Sequence, residues 1–290
     1  AGTGTDGTGA MRVGSSADVV WNGTITLTND ALIKLDGNTT LTLNDRIAIS
    51  NRTLTLAADG GAVGTIAAPI TGAGWVVRSG NAGLWYLTAT QGVGATHYYV
   101  NNGTLAFTAG SVTSTTWCGA GSVAGAAGTF QLSGAAQFAC HGDFNIADVS
   151  DTDGTLNLSG AATLLVNALY VGKYGTASGV VNQSGGTVTN VNASPADWRI
   201  GGGSGSADSN AYGRYHLSGG TLHTPANLQV GAYGRGTWLQ TGGSATIGGW
   251  PVIGRFSGSA GFLTVSNGTF TQSAAANDLI VGQNGTGTLI

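Results

Sequence analysis

The sequence predicts an all-β fold, a single-stranded parallel β-helix (β-solenoid) with three strands per turn and about a dozen turns. Three observations support this prediction. The composition disfavours helices, glycine-punctuated runs recur at nearly constant spacing, and apolar and polar residues alternate between the glycines. A right-handed coil is consistent with the right-handed crossovers that parallel strands favour.

The composition is that of a strand-rich chain with many tight corners. All 13 acidic residues are aspartates, lysine occurs only at Lys34 and Lys173, and 52 of the 290 residues are glycine. Glutamate and lysine favour helix surfaces, whereas threonine, valine and glycine favour strands and turns. We therefore expect almost no helix.

The repeat is clearest in residues 128–290, where each line opens with a glycine and a new line begins about every 25 residues. A line contains an alternating run, a Ser/Thr-Gly-Gly-like corner, a second run, a variable segment and a third run that ends in an apolar residue and glycine. Stacked turns bury one set of alternating side chains that no single turn could bury. The opening glycines are Gly128, Gly154, Gly179, Gly213, Gly236, Gly261 and Gly287.

Alternation also predicts which side chains point inward. Glycines are expected where the chain turns between faces, either with positive φ or where no Cβ fits. Threonines do not keep one position in the lines as we align them, so we expect no regular threonine array. The candidate inward residues are Phe130, Leu132, Leu156, Leu158, Val171, Ile200, Leu217, Val230, Ile253, Leu263, Val265 and Ile280.

Residues 16–127 follow a different pattern but are predicted to continue the same solenoid. Ile70, Gly72 and Gly74 open a motif, Gly83, Leu84 and Leu87 follow it, and Gly103, Thr104 and Leu105 close it after Gly94, Ala95, Thr96 and Val100. This arrangement resembles the autotransporter-associated β-strand repeat of bacterial passenger domains, although residues 88–94 replace that family's Asn-x-Tyr turn. The resemblance implies a secreted or cell-surface bacterial solenoid and no specific ligand.

The ends of the chain carry two further expectations. Residues 1–15, rich in glycine and threonine, are predicted to be a flexible or capping segment. The last residues begin a further repeat line, so we expect the polypeptide to continue beyond Ile290. The insertion at residues 193–212 makes the line from Gly179 to Gly213 the longest, and inserts in a solenoid leave from one face, often the binding face.

Charge and hydropathy argue against two classes of partner. Charged residues make up 8% of the chain and the net charge is −3, whereas nucleic-acid binding needs clustered lysine and arginine. No apolar run approaches the roughly 18 residues of a membrane-spanning helix. The resemblance to passenger domains implies an extracellular or bacterial cell-surface location.

One dense group of carboxylates, Asp148, Asp151 and Asp153, lies in ADVSDTDG. The favoured interpretation is a polar turn whose carboxylates bond to the local backbone. A calcium site, which such oxygen ligands would suit, and a catalytic carboxylate group are the alternatives. The sequence suggests no other cofactor. The four histidines are dispersed along the chain, and we assign them no role.

Aromatic residues form a second group of interest. Trp198, Tyr212, Tyr215, Tyr233 and Trp238 lie on the later turns, and Trp75, Trp85, Tyr86, Tyr98 and Tyr99 on earlier ones. Aromatic faces stack on sugars or on protein surfaces. The later group is therefore a candidate glycan or protein contact, with ladder packing along the solenoid as the alternative.

Cys118 and Cys140 are separated by about one turn and are candidates for a disulfide between neighbouring turns, with two separate buried thiols as the alternative.

The sequence leaves three functions open. The favoured one is a non-catalytic structural solenoid that self-assembles into a fibre, stalk or surface layer. An adhesin or glycan-binding domain comes second, and a polysaccharide-active enzyme third, since the chain has no glutamate.

Overall fold

The computed structural model describes residues 10–14, 16–91, 95–192 and 195–290. It is all-β, with parallel strands stacked as a β-solenoid of about 11 turns. The predicted fold class is confirmed. Within the described residues the regular structure comprises 28 strands and one 3₁₀ turn, Ser206–Asp208, and no helix has the length and hydropathy needed to cross a bilayer.

The strands are short in the first half of the chain, and four in the second half are 13 residues long. In chain order they are β1 Met11–Val13, β2 Asp18–Trp21, β3 Ile25–Thr26, β4 Ala31–Leu35, β5 Thr40–Leu43, β6 Ile47–Ala48, β7 Arg52–Ala58, β8 Val63–Ile66, β9 Ile70–Thr71, β10 Gly74–Ser79, β11 Leu84–Leu87, β12 Ala95–Val100, β13 Asn102–Phe107, β14 Ser111–Ser114, β15 Cys118–Ala120, β16 Ala127–Leu132, β17 Gln137–Ile146, β18 Asp153–Leu158, β19 Thr163–Val171, β20 Ser178–Asn190, β21 Trp198–Ile200, β22 Tyr212–Thr224, β23 Leu228–Val230, β24 Arg235–Ile247, β25 Pro251–Ile253, β26 Ala260–Gln272, β27 Ile280–Val281 and β28 Thr286–Leu289.

The strands form three parallel faces, and the chain passes through faces A, B and C in each turn. Face A contains β1, β4, β7, β10, β12, β15, the ends of β17 and β19, β21, β23, β25 and β27. Face B contains β2, β5, β8, β11, β13, β16, β18, the first parts of β20, β22, β24 and β26, and β28. Face C contains β3, β6, β9, β14, the first parts of β17 and β19, and the later parts of β20, β22, β24 and β26.

The repeat glycines lie in register, which explains why the sequence keeps them. Gly103 pairs with Gly128, Gly128 with Gly154, and the column continues without interruption to Gly287. A Cβ at Gly128 would lie 1.9 Å from the carbonyl oxygen of Val100. The reason for these glycines is therefore close approach of the backbone where face A meets face B. The pairing also joins residues 16–127 to residues 128–290 in one stack.

The core is an apolar column between the three faces. Ten of the twelve candidate inward residues are buried, and Val265 is partly buried against the core. Ile280 was predicted to point inward, and this is wrong, because it pairs with Val252 on the outward side of face A. Aromatic rings fill the middle of the column, where the rings of Phe107 and Phe130 stack 5.0 Å apart.

One charged side chain lies in this apolar column. Arg78 pairs with Leu56 on one turn and Val100 on the next, and its side chain is fully buried. Its guanidinium donates hydrogen bonds to the carbonyl oxygens of Gly83 at 2.6 Å and Asn81 at 2.9 Å. Burial lowers the pKa of Arg78 to about 10 despite the nearby carboxylate of Asp59, so the group stays charged near neutral pH.

Face C carries an outward hydroxyl ladder, which corrects the expectation of no threonine array. Thr163 pairs with Thr187, Thr187 with Thr221, Thr221 with Ser244, and Ser244 with Thr269. These residues lie nine positions after the opening glycine Gly154 and eight positions after each of the next four opening glycines, so the hydroxyl column follows the repeat lines.

Residues 1–9 and 15 of the predicted N-terminal segment, Gly94 of the repeat motif and residues 193–194 of the insertion lie outside the described residues. Within that N-terminal segment, Met11–Val13 form a strand that pairs with Ile33–Leu35. The described part of the insertion contains the 3₁₀ turn, and Asp208 accepts hydrogen bonds there from the backbone N–H groups of Ser204 and Gly205.

Candidate functional site on face A

The outward surface of face A differs from the other two faces because it carries most of the exposed tryptophan and the paired charges. Face C is lined largely by hydroxyls, and face B mostly by threonine, asparagine and glutamine. On face A, Trp75, Trp117 and Trp250 are 44%, 55% and 38% exposed. Exposed aromatic side chains next to charged groups are typical of binding surfaces.

Four aromatic rings form what we call the Trp75 cluster: Trp75, His97, Tyr99 and Trp117. The rings of Trp75 and His97 lie 4.1 Å apart at 30°, and the Trp117 ring meets His97 edge-on at 6.3 Å. The hydroxyl of Thr116 lies 2.9 Å from Nδ1 of His97. Burial lowers the pKa of His97, with a smaller opposing effect from the Trp117 backbone, so the ring is neutral near pH 7.

A groove of about 400 Å³ lies beside this cluster toward the N-terminus, and we call it the Lys34 groove. Its floor is made by outward residues of β4 and β7, and Thr53 of that floor pairs with Trp75. Lys34 lies 3.2 Å from a carboxylate oxygen of Asp59 and 3.6 Å from one of Asp36. The groove is lined by Asp30, Ala31, Leu32, Lys34, Thr53, Thr55, Ala57, Asp59, Ser79 and Gly80.

A second charged group surrounds Lys173, whose Nζ lies 3.1 Å from Asp143 and 3.4 Å from Asp148. The ammonium also lies over the rings of Tyr170 and Tyr174, at 4.6 and 4.9 Å from their centroids. Burial lowers the pKa of Lys173, but the two carboxylates outweigh burial and the net pKa is raised. Burial raises the pKa of Asp148, and Lys173 only partly offsets this.

The three aspartates of the candidate calcium site have different surroundings. Asp148 faces Lys173, and the Asp151 carboxylate accepts a hydrogen bond of 2.7 Å from Thr176. Asp153 is exposed at the start of β18. Among the residues that the structure describes, no group of three or more His, Cys, Asp or Glu side chains could hold a metal ion. Calcium binding stays a prediction from the sequence.

Three of the five predicted ligand-contacting aromatics are in the core, so that prediction is wrong for them. Trp198, Tyr215 and Trp238 are at most 1% exposed. They occupy inward positions of the alternating pattern, and Tyr215 stacks on Trp238 at 4.7 Å. This is the ladder packing that the sequence left as the alternative.

The other two residues of that set, Tyr212 and Tyr233, are partly exposed. Tyr233 stacks on Phe256 with ring centroids 4.1 Å apart. Near it, Asp197 accepts a hydrogen bond from Asn227 at 2.8 Å and pairs with Arg255 at 3.2 Å. These contacts link the polar side chains along the C-terminal part of face A to one another.

Both cysteines are buried free thiols in the structure. The Cys140 thiol lies 3.1 Å from the carbonyl oxygen of Thr116, and contact with the Cys118 thiol, together with burial, raises the pKa of Cys140. Neighbouring thiols are compatible with both interpretations of the sequence. A disulfide between them stays a prediction.

The Trp75 cluster was only partly visible in the sequence. Trp75 and Tyr99 belonged to the earlier aromatic group, whereas His97 and Trp117 were assigned no place in it. The signal that could have found them is alternation, because Trp75 and Val77 are outward on β10, as are His97 and Tyr99 on the next turn. Comparison with protein-family models, with curated proteins and with solved structures found no match.

Proposed function

We propose that this chain is a non-catalytic structural β-solenoid of an extracellular or bacterial surface, which associates with other copies into a fibre, stalk or layer. One observation carries the proposal: backbone pairing is continuous from β1 to β28, around an apolar column. Such a stack is rigid along its axis because each turn is fixed by the turns beside it. This property suits a spacer or scaffold.

Association follows from the same pairing. A solenoid has the same backbone geometry at every level, so turns from separate copies can pair as turns within one copy do. The outward hydroxyl ladder of face C and the amide ladder of face B, where Asn182 donates to Asn157 at 3.0 Å, offer further regular surfaces for lateral contact. The proposed partner is therefore a second copy of this chain.

Electron microscopy of the purified chain at micromolar concentration tests the proposal, with analytical ultracentrifugation on the same samples. We expect filaments or sheets whose long spacing matches the length of the stack, about 55 Å at the usual strand separation. Monodisperse short rods over the whole concentration range would contradict self-assembly by this chain.

A second candidate function is glycan binding, as in an adhesin. The observation that favours it is the exposed tryptophan of face A. In the described part of the chain, face A carries more exposed tryptophan side chains than either of the other faces. Indole faces bind the apolar faces of sugar rings, and neighbouring polar groups bind the hydroxyls. A glycan array probed with the labelled chain separates this function from pure scaffolding.

A further inference from the structure

We propose that the Lys34 groove, together with Trp75, binds a neutral glycan chain, with one pyranose ring stacked on the indole. The inference rests on the second candidate function and is independent of self-assembly. It differs from the sequence-based assignment, which placed the binding aromatics on the later turns.

The first argument is the shape of the surface at Trp75. One ring face covers His97 on the following turn, and the residue paired with Trp75 on the preceding turn is the much smaller Thr53. The two rings are tilted by 30°, so His97 covers only one side of the indole, and the small Thr53 leaves room beside the other. Because Trp75 is 44% exposed, this step leaves an aromatic surface open to solvent beside Thr53, next to the residues that line the groove.

The second argument is the polar lining. Thr53 and Thr55 are successive outward residues of β7 and present hydroxyls along the floor. Asp30 and Asp59 contribute carboxylates and Lys34 an ammonium at the edges. Sugar hydroxyls both donate and accept hydrogen bonds, so a mixture of hydroxyl, carboxylate and ammonium groups beside an exposed indole suits a sugar.

The third argument is charge, which selects a neutral ligand. Among the described residues that line the groove, Lys34 is the only cation, and it is already paired with Asp36 and Asp59, at 3.6 and 3.2 Å. Asp30 adds a further carboxylate, whose oxygen accepts the backbone N–H of Thr53 at 2.8 Å. This lining does not favour an acidic sugar, so polyanionic glycans are expected to bind poorly. The volume of about 400 Å³ lies within the usual range of small-ligand sites.

Isothermal titration calorimetry of the whole chain tests the proposal with four probes. Three are neutral, namely cellohexaose, hexa-N-acetylchitohexaose and mannohexaose, and the fourth is the anionic hexagalacturonate. We expect at least one neutral hexasaccharide to bind and the anionic one to bind more weakly. Failure of all three neutral probes at concentrations up to about 10 mM, or a preference for hexagalacturonate, would overturn the proposal.

Four variants locate the site. Trp75→Ala is expected to weaken binding about tenfold, Trp75→Phe by less, and the double variant Thr53→Val/Thr55→Val about threefold. The valines keep the shape and strand preference of threonine, so this variant keeps the fold. Trp250→Ala, which removes a similarly exposed indole elsewhere on face A, is the matched control and is expected to bind like the unaltered chain.

Equal affinity of Trp75→Ala and the unaltered chain, or a larger loss in Trp250→Ala, would place the sugar elsewhere and overturn the assignment. A change in the chemical shift of the Trp75 indole N–H on titration, read by ¹H–¹⁵N NMR and assigned from the Trp75→Phe spectrum, gives an independent readout. Electron microscopy of the same variants keeps the two proposals apart, because we expect assembly to be unchanged in Trp75→Ala.

Discussion

The N-terminal turns, residues 11–87, and the C-terminal turns, residues 178–272, stack identically but form their corners differently. In the N-terminal turns the corner between faces B and C lies between separate strands, such as β5 and β6, and side chains stabilise it, as where Asn44 donates to Asn22 at 3.0 Å. In the C-terminal turns a long strand such as β22 runs through the corner, where Gly220 has φ of 80°. Corners are thus held by side chains in one region and by close backbone packing in the other.

The largest effect is expected at Arg78, which holds a corner between faces A and B in the N-terminal region. Arg78→Met fills the apolar column but removes the hydrogen bonds that the guanidinium donates to the carbonyl oxygens of Asn81 and Gly83. We expect a loss of about 4 kcal/mol in the free energy of unfolding, measured by urea denaturation. Arg235→Met, at an exposed position, is the control and should change it by less than about 0.5 kcal/mol. Similar values for the two variants would show that Arg78 has no special role in the corner.

A glycine substitution tests the corner of the C-terminal turns, which is held by close backbone packing. Gly220→Ala places a Cβ 2.4 Å from the carbonyl oxygen of Gly186 in a left-handed conformation, and we expect a loss of about 3 kcal/mol. Gly60 in the N-terminal region also has positive φ, at 56°, but a Cβ there would contact nothing within 4 Å. Gly60→Ala should therefore cost only about 1 kcal/mol. Equal losses in thermal unfolding would mean that backbone packing does not distinguish the two regions.

Buried glutamines provide a finer test within the C-terminal region. Gln183 donates to the carbonyl oxygen of Thr221 at 2.9 Å and accepts a hydrogen bond of 2.6 Å from Tyr215, whereas Gln240 makes the corresponding donor contact to Thr269 without such a tyrosine. Leu217 lies between them in the same column, so leucine fits there. We expect Gln183→Leu to cost about 2 kcal/mol and Gln240→Leu about 1 kcal/mol in urea denaturation. The reverse order would contradict the role of Tyr215.

The smallest effect concerns Asp148, in the region between the two. Its folded-state pKa is raised, so the folded protein takes up this proton more readily than the unfolded chain as the pH falls. Relative to Asp148→Asn, the unaltered protein should therefore gain stability as the pH falls from neutral through the raised pKa. Urea denaturation of both proteins at several pH values measures the difference. A constant difference would show that Asp148 titrates alike in the folded and unfolded states.

The sequence predicted the fold well because the glycine lines and the alternating runs are local signals. Gly128 and its equivalents marked the turns correctly, and ten of the inward residues followed from alternation. Arg78 could not be predicted as a core residue, since its burial depends on carbonyls of a neighbouring corner. The site was harder to predict. Trp198 and Trp238 look like candidate ligand contacts until it is known which side of the strand points inward. The exposure of Trp75 depends on the small residue Thr53 of the preceding turn.

The column of paired turns also determines how the molecule would respond to a pulling force. Its backbone hydrogen bonds run along the axis, and each turn pairs only with its neighbours, so tension applied at the ends should peel turns away one after another. The turn from Met11 to its partner Ile33 is shorter than the turn from Trp198 to its partner Leu228. A released turn would lengthen the chain by about 75 Å in the first case and about 100 Å in the second. Under such a load the stack would lengthen in steps that differ with the length of each turn, and many weak ruptures would dissipate work before the chain is fully extended.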